Sequence, residues 1–285
     1  MDVRDKPSYL DGYPFEYLKS DIRSDTEMLR IMKENSIDTV VHLASIVTPG
    51  KNPDREFEYS VDVLGTKNVL ECCVKAGVKK IIVTSSGAAY GYYPDNPEWI
   101  KETDQIRGNY EFAYSHHKKL VEEMLADYRT KHPALKQLIF RPGTILGATT
   151  KNQITDLFHK PMVLGIRGAK SPFVFIWDKD VVNCLIQGIV GDKEGAYNLA
   201  GNGALTMREI SKILKKPYLP IPASVLKTAL GVLKKFNMTR YGPEQVNFLR
   251  YRPVLSNEKL KTEFGYTPQK TSLEALQYYL ENQSA

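Results

Sequence analysis

Cysteine is scarce in these 285 residues, with three in all, at positions 72, 73 and 184. Two are adjacent in a helical stretch and the third lies in another apolar stretch, which suits buried free thiols and not a disulfide framework. Long apolar runs are missing too. None approaches the roughly 20 residues that a membrane-spanning helix needs, and no signal peptide opens the chain, so a cytoplasmic location is the expectation. The charge is not of one sign: 39 basic residues stand against 33 acidic ones, a net +6. The basic residues are scattered along the sequence without aromatic platforms, which argues against nucleic-acid binding. No metal site is expected. What is present, 42% hydrophobic and 25% charged residues, is ordinary for a globular protein with a sizeable core. The length suits one large domain, or one domain carrying a smaller lobe.

The chain is organised around Tyr114-Ser115-His116-His117-Lys118, read with Ser86 upstream. Tyrosine and lysine four apart on a helix share a face. An ammonium near a phenol favours the phenolate, so the tyrosine is expected to titrate below its ordinary value of about 10. Such a phenol can exchange a proton with a substrate oxygen that a neighbouring serine hydroxyl holds. The spacing alone is cheap, because Tyr266 and Lys270 share it; Pro268 between them breaks helical geometry. Around Tyr114 the context differs: Leu120, Val121, Met124, Leu125 and Tyr128 repeat at helical spacing. Lys79 to Ser86 reads as a buried strand that ends in a polar pair.

Three motifs in order, "TSSGAAYG" at 84–91, "YSHHK" at 114–118 and "RPGTILG" at 141–147, resemble the extended short-chain dehydrogenase/reductase superfamily of the NAD-dependent epimerase/dehydratase type. The resemblance implies a Rossmann-type α/β fold, a doubly wound parallel sheet with a smaller C-terminal substrate lobe. It implies Ser86, Tyr114 and Lys118 as the catalytic trio: the serine on the substrate oxygen, the tyrosine as acid/base, the lysine also on the nicotinamide ribose. NAD is the implied cofactor, NADP the less favoured one. A small molecule is the implied substrate. A homodimer is expected through helices at about 55–76 and 110–131, where Val69 with Leu70 and Leu120 with Val121 suggest more than one buried face.

A Rossmann chain opens with a strand, a glycine-rich turn and a helix, and no GxxGxxG set between strand and helix occurs here. "MDVR" at 1–4 resembles the end of the family's second strand, with Asp2 as the ribose-binding acid. The fold is therefore expected to be N-terminally incomplete, short of the family's first 30–40 residues. Phe15 to Ile22 alternates like a strand and resembles the family's third, so Asp21 and Ile22 take the adenine. Thr39 to Ser45 reads as a buried parallel strand. Its "HLAS" resembles the family's "HLAA", whose backbone at Leu43, Ala44 and Ser45 passes over the cofactor, with His42 as a packed core residue. The loop from Ile46 to Asp54, with Pro49, Gly50 and Pro53, should lie near the active-site mouth. In "VDVLGTKN", Asp62 stands where the family has asparagine, which removes a donor.

Backbone after Pro142 should face the nicotinamide. The division expected is 1–147 as the cofactor domain and 148–285 mainly as the substrate lobe, with about 173–190 returning to the first. Asn152 resembles an asparagine near substrate phosphates. Ser171-Pro172 stands where nucleotide-sugar enzymes carry a phosphate-gripping arginine before Phe173, so common nucleotide sugars are expected to bind poorly. Thr206 with Glu209 forms a capping box, Pro217 to Pro222 reads as an extended link, and Ala223 to Phe236 as a basic amphipathic helix closing over the cleft as a lid; a membrane-surface helix is the weaker alternative. "SNEKLKTEFGYTP" at 256–268 resembles the family's C-terminal signature.

The leading function is oxidoreduction, or epimerisation through transient oxidation, at a secondary alcohol or ketone. A hydroxysteroid-dehydrogenase-like reductase of a hydrophobic alcohol is the alternative within the class. Outside it stand a non-catalytic dinucleotide-binding protein and an inactive fragment.

Overall fold

The structure, a computed structural model, describes residues 1–47, 53–236, 238 and 242–283. Pro49 and Gly50 of the expected mouth loop lie outside the described residues. In chain order the helices are α1 (Asp25–Glu34), α2 (Arg55–Tyr59), α3 (Thr66–Ala76), α4 (Ala113–Lys131), α5 (Gln153–Phe158), α6 (Asp178–Val190), α7 (Met207–Ile213), α8 (Ala223–Lys235), α9 (Gln245–Arg250) and α10 (Ser272–Glu281). The strands are β1 (Thr39–His42), β2 (Lys80–Thr84), β3 (Lys136–Pro142), β4 (Thr144–Leu146), β5 (Val163–Ile166), β6 (Phe175–Trp177), β7 (Gly195–Leu199) and β8 (Tyr218–Ile221).

The main sheet runs β1-β2-β3-β7, all parallel. Its strands are apolar on both sides because both faces are covered. Ile81, Val83 and Ile139 point to α1, α3 and α4, meeting Met28, Leu70, Cys73, Val121 and Leu125. Their neighbours Ile82, Leu138 and Phe140 alternate to the other face, where Val181 and Cys184 of α6 and Leu260 and Phe264 close the core. This is a doubly wound Rossmann-type arrangement. A second cluster, with Leu146, Phe158, Phe173, Phe175, Ile210 and Tyr279, holds the smaller lobe together. Three side chains that carried the dimer expectation, Val69, Leu70 and Val121, are spent inside the first core, because α3 and α4 use those faces against the sheet.

Phe15 to Ile22 forms no strand. It makes a single parallel bridge, Asp2 to Lys19, with Asp2 N donating to Leu18 O at 3.2 Å and Ser20 N to Asp2 O at 3.0 Å, and Phe15 is exposed. Alternation becomes a strand only where a ladder partner runs alongside, and here the partner is one residue long. The reverse holds at 217–222: the expected link contains β8, because β5 lies beside it in parallel register.

Residues 55–76 are helical throughout, but the middle, Ser60–Gly65, winds as a π-helix, a form often found at functional sites. The Asp54 carboxylate caps its start, accepting from the Glu56 and Phe57 amides at 3.0 Å each. At Gly65 the Ile22 side chain packs directly on the backbone, and a Cβ there would come within 2.5 Å of it, so Ile22 would have to shift. The capping box at Thr206 and Glu209 is present, and a second, Thr271 with Glu274, opens α10. All three cysteines are buried and free; burial pushes the Cys73 and Cys184 thiols up to about 12, so they are inert.

Candidate active site

In an open parallel sheet the carboxyl ends of the strands leave a crevice. Here the chain beyond β2, the start of α4 and the chain beyond β3 meet around a cavity of about 530 Å³ lined by Ser86, Tyr114 and Pro142. Ser86 lies two residues beyond β2 and caps the short 3₁₀ turn Gly87–Tyr90, its oxygen accepting from Ala88 N at 3.1 Å. The Ser115 hydroxyl fixes that turn to α4 by donating to Ala88 O at 2.7 Å. The Ser86 hydroxyl faces the Tyr114 phenol closely enough to favour its ionised form. Lys118 lies one turn along α4, its Nζ donating to Thr84 O at 2.9 Å and standing 5.6 Å from the centre of the Tyr114 ring. The three residues expected from sequence are therefore together.

Their electrostatics differ from the expectation. Burial pushes the Tyr114 phenol up to about 12, with the Ser86 hydroxyl opposing. Burial pulls Lys118 down to about 8, with Asp62 and Glu122 opposing. Loss of water disfavours both charged forms more strongly than the pair favours them. The sign for pH follows. The lysine is cationic below about 8 and loses its proton above it, while the phenol stays protonated throughout that window. We expect kcat/KM, which reports the free enzyme, to fall as pH rises through about 8. A profile flat to pH 10 would show that the Lys118 charge plays no part in the rate.

Of the other expected residues, Asp2, Asp21, Ile22, Leu43, Ala44 and Ser45 lie outside the cavity lining. Leu43, which follows the buried His42 at the end of the half-buried β1, is 56% exposed. An apolar side chain left open at the carboxyl end of a parallel strand fits a flat organic group, and Ala44 beside it is exposed as well. The Ser45 hydroxyl donates to Asp62 Oδ1 at 3.0 Å. Asp21 is held by Arg23, whose Nη2 stands 2.6 Å away and keeps the carboxyl below its usual range. Asp2 is gripped likewise by Arg4 at 2.7 Å. Both carboxylates expected to meet the adenosine are thus already held by arginines, and among the described residues no glycine-rich turn joins a strand to a helix to hold a dinucleotide's phosphates.

Asp62, in the π segment, is buried and accepts from Ser45 Oγ, from Ile46 N at 2.8 Å and from His117 Nδ1 at 3.0 Å. The carboxylate in place of an amide is thus met entirely by donors. His42 is packed as expected, paired with Thr66 Oγ1 at 2.9 Å, and burial pulls it down to about 4. Asn152 lines the cavity, but its side-chain oxygen caps α5, accepting from Ile154 and Thr155 amides. No residue of α8 lines the cavity. The lid expectation therefore fails: Phe248 of α9 and the following Arg252 and Pro253 supply that wall, since α8 packs on α9 from outside.

Arg252 is the least expected member. Its guanidinium lies 3.9 Å from the Phe173 ring and 4.6 Å from Phe248, and its Nη1 is buried without a hydrogen-bond partner. Burial pulls it down to about 10, which leaves it cationic at neutral pH. Ser171 and Pro172 supply no guanidinium before Phe173, yet one arrives at Phe173 from eighty residues downstream. The expected poor binding of nucleotide sugars loses its physical ground there.

Residues 3–180 match the model of the NAD dependent epimerase/dehydratase family. The chain belongs to that family. NAD is the cofactor that this membership brings. Among relatives, the N-acetyl-alpha-D-glucosaminyl-diphospho-ditrans,octacis-undecaprenol 4-epimerase of Escherichia coli is 26% identical over 230 residues, covering 75% of this chain and 67% of its own. Among solved structures, the UDP-glucose 4-epimerase of Thermotoga maritima with UDP-glucose has a TM-score of 0.71 at 18% identity, covering 94% of this chain and 84% of its own. That of Thermus thermophilus with NAD has 0.70 at 22% identity, covering 96% and 86%. No described helix of this family member is long and apolar enough to cross a membrane.

Proposed function

We propose that this chain oxidises and reduces a secondary alcohol or ketone whose substrate carries an anionic group, with a sugar diphosphate as the class that fits best. The observation that carries the reading is one cavity with Ser86 and Tyr114 at one wall and, at another, Arg252, whose buried Nη1 has no hydrogen-bond partner. NAD, when bound, supplies the acceptor for the hydride. Ser86 orients the reacting oxygen by hydrogen bond. Tyr114 gives its phenolic proton to that oxygen on reduction, leaving a phenolate, and the phenolate takes the proton back on oxidation. The ammonium of Lys118 stabilises the phenolate so formed and reaches the nicotinamide ribose. Asp2, Asp21, Ile22, Leu43, Ala44, Ser45 and Pro142 take the remainder of the dinucleotide in this reading. The relatives' sugar-diphosphate substrates support the choice, and so does charge: the buried guanidinium is in no ion pair with a described residue, and a buried cation is costly until an anion pairs with it.

The test is turnover on a panel of nucleotide and lipid-linked sugar diphosphates beside uncharged secondary alcohols, followed by nicotinamide absorbance and by NMR of the sugar. We expect turnover of a diphosphate, and for Arg252→Met a KM raised by about 10- to 150-fold, the worth of a hydrogen bond to a charged group, with NADH affinity unchanged. Turnover of an uncharged alcohol with none on any diphosphate would overturn the reading in favour of a hydroxysteroid-type reductase.

A further inference from the structure

Two stretches of this sequence hold no acidic residue. Residues 157–177 contain Lys160, Arg167 and Lys170, and residues 210–243 contain seven basic residues. They are far apart in the chain, so the net charge of +6 looks evenly spread in one dimension. The fold brings them together. Strand β5 pairs with β8 in register from Val163 with Tyr218 to Ile166 with Ile221, and Arg167 N donates to Ile221 O at 2.9 Å, just ahead of α8. Nine described basic residues thus gather in one lobe, while the sequence outside the two stretches carries more acids than bases. Arg167, Lys227 and Lys235 are exposed, and none of them is in an ion pair with a described residue.

The same lobe exposes apolar side chains. Leu164 and Leu219 are register partners and so stand on one face of the ribbon, 41% and 45% exposed. Helix α8 has no buried residue. Val225, Ala229, Val232 and Phe236 follow one another at helical spacing along a single side, with Val225 56%, Val232 49% and Phe236 68% exposed. From these observations we infer that the β5–β8 ribbon and α8 form a docking surface for an anionic lipid bilayer. Interfacial helices combine an apolar stripe with lysines and lie in the headgroup plane, and each nearby basic residue adds roughly fivefold in affinity for anionic lipid. A nucleic acid would use the cations but leave Val225, Val232, Leu164 and Leu219 bare, since its bases stack on aromatic rings. Helix α8 packs on α9, whose Phe248 lines the cavity, so the docked face lies beside the wall of the catalytic site.

The experiment is co-sedimentation of the full chain with vesicles of phosphatidylcholine alone and of phosphatidylcholine with phosphatidylglycerol, at low and high salt. We expect binding to the anionic vesicles only, and its loss at high salt. The triple variant Arg167→Gln, Lys227→Gln, Lys235→Gln should bind on the order of a hundredfold more weakly, and Val232→Ser with Phe236→Ser should weaken binding at either salt. All five side chains are exposed, and circular dichroism of each variant confirms the fold. Equal binding to both vesicle types, no binding, or unchanged binding by either variant overturns the inference. So does displacement from the vesicles by single-stranded RNA, which would assign the lobe to nucleic acid. Dissociation of a lipid-free dimer by the serine variant would assign it to a second copy.

Discussion

Tyr114→Phe is expected to lose about a hundred- to ten-thousandfold in turnover, the typical contribution of general acid/base catalysis, with unfolding unchanged. The substitution removes one hydroxyl, the group that the Ser86 hydroxyl meets in the cavity. The ring keeps its place at the start of α4, and that segment is held by other bonds, among them Ser115 to Ala88 O and Lys118 to Thr84 O. Rate and fold are therefore separable. Steady-state kinetics on the substrate found above, with a denaturant melt of the same samples, provides the check. A rate within tenfold of the parent would remove Tyr114 from the proton transfer and leave the acid/base role to a water or another side chain.

Glu122→Ala should cost about 3–5 kcal/mol of stability, the usual cost of stranding one partner of a buried ion pair. Glu122 lies on α4 and meets Arg141 of β3 in a two-pronged bond, Nε to Oε1 at 2.8 Å and Nη2 to Oε2 at 2.9 Å. The side chains are only 8% and 5% exposed. Burial works against the arginine's charge, but the bond to Glu122 outweighs it and holds the guanidinium above its ordinary range. Arg141 Nη1 also donates to the Tyr90 hydroxyl at 2.8 Å, which donates to Asn198 Oδ1 at 2.9 Å. One charge therefore ties the catalytic helix, the 3₁₀ turn after Ser86 and strands β3 and β7 together. Equilibrium denaturation with both coincident probes and slope monitored would measure the loss. A change under about 1 kcal/mol would mean that water reaches the vacated site and solvates Arg141.

What could be read in one dimension was whatever rests on neighbours in the chain. Tyr114 and Lys118 share a face because four residues make about one helical turn. Thr206 with Glu209 is a cap because the side chains are three apart. The apolar runs at Thr39 to Ser45 and Lys79 to Ser86 announced β1 and β2, although β1 stops at His42 and is only half-buried, and the order of the three motifs carried the family. The same local logic misled at Phe15 to Ile22, where the alternation is present but a partner strand is not.

Everything that joins distant residues waited for the fold. The charge of Lys118 is set by burial against Asp62 and Glu122, and no spacing rule states how much water a side chain loses. Asp62 with His117 and Arg141 with Glu122 are pairs across elements. Arg252 reaches Phe173 only because the chain after α9 turns back over the smaller lobe. The basic lobe exists only because β8 lies beside β5. Helical spacing and caps are consequences of covalent geometry over a few residues and are therefore written in the sequence. Burial, counterions and the partners of a cavity depend on which surfaces meet, and those were decided by tertiary packing.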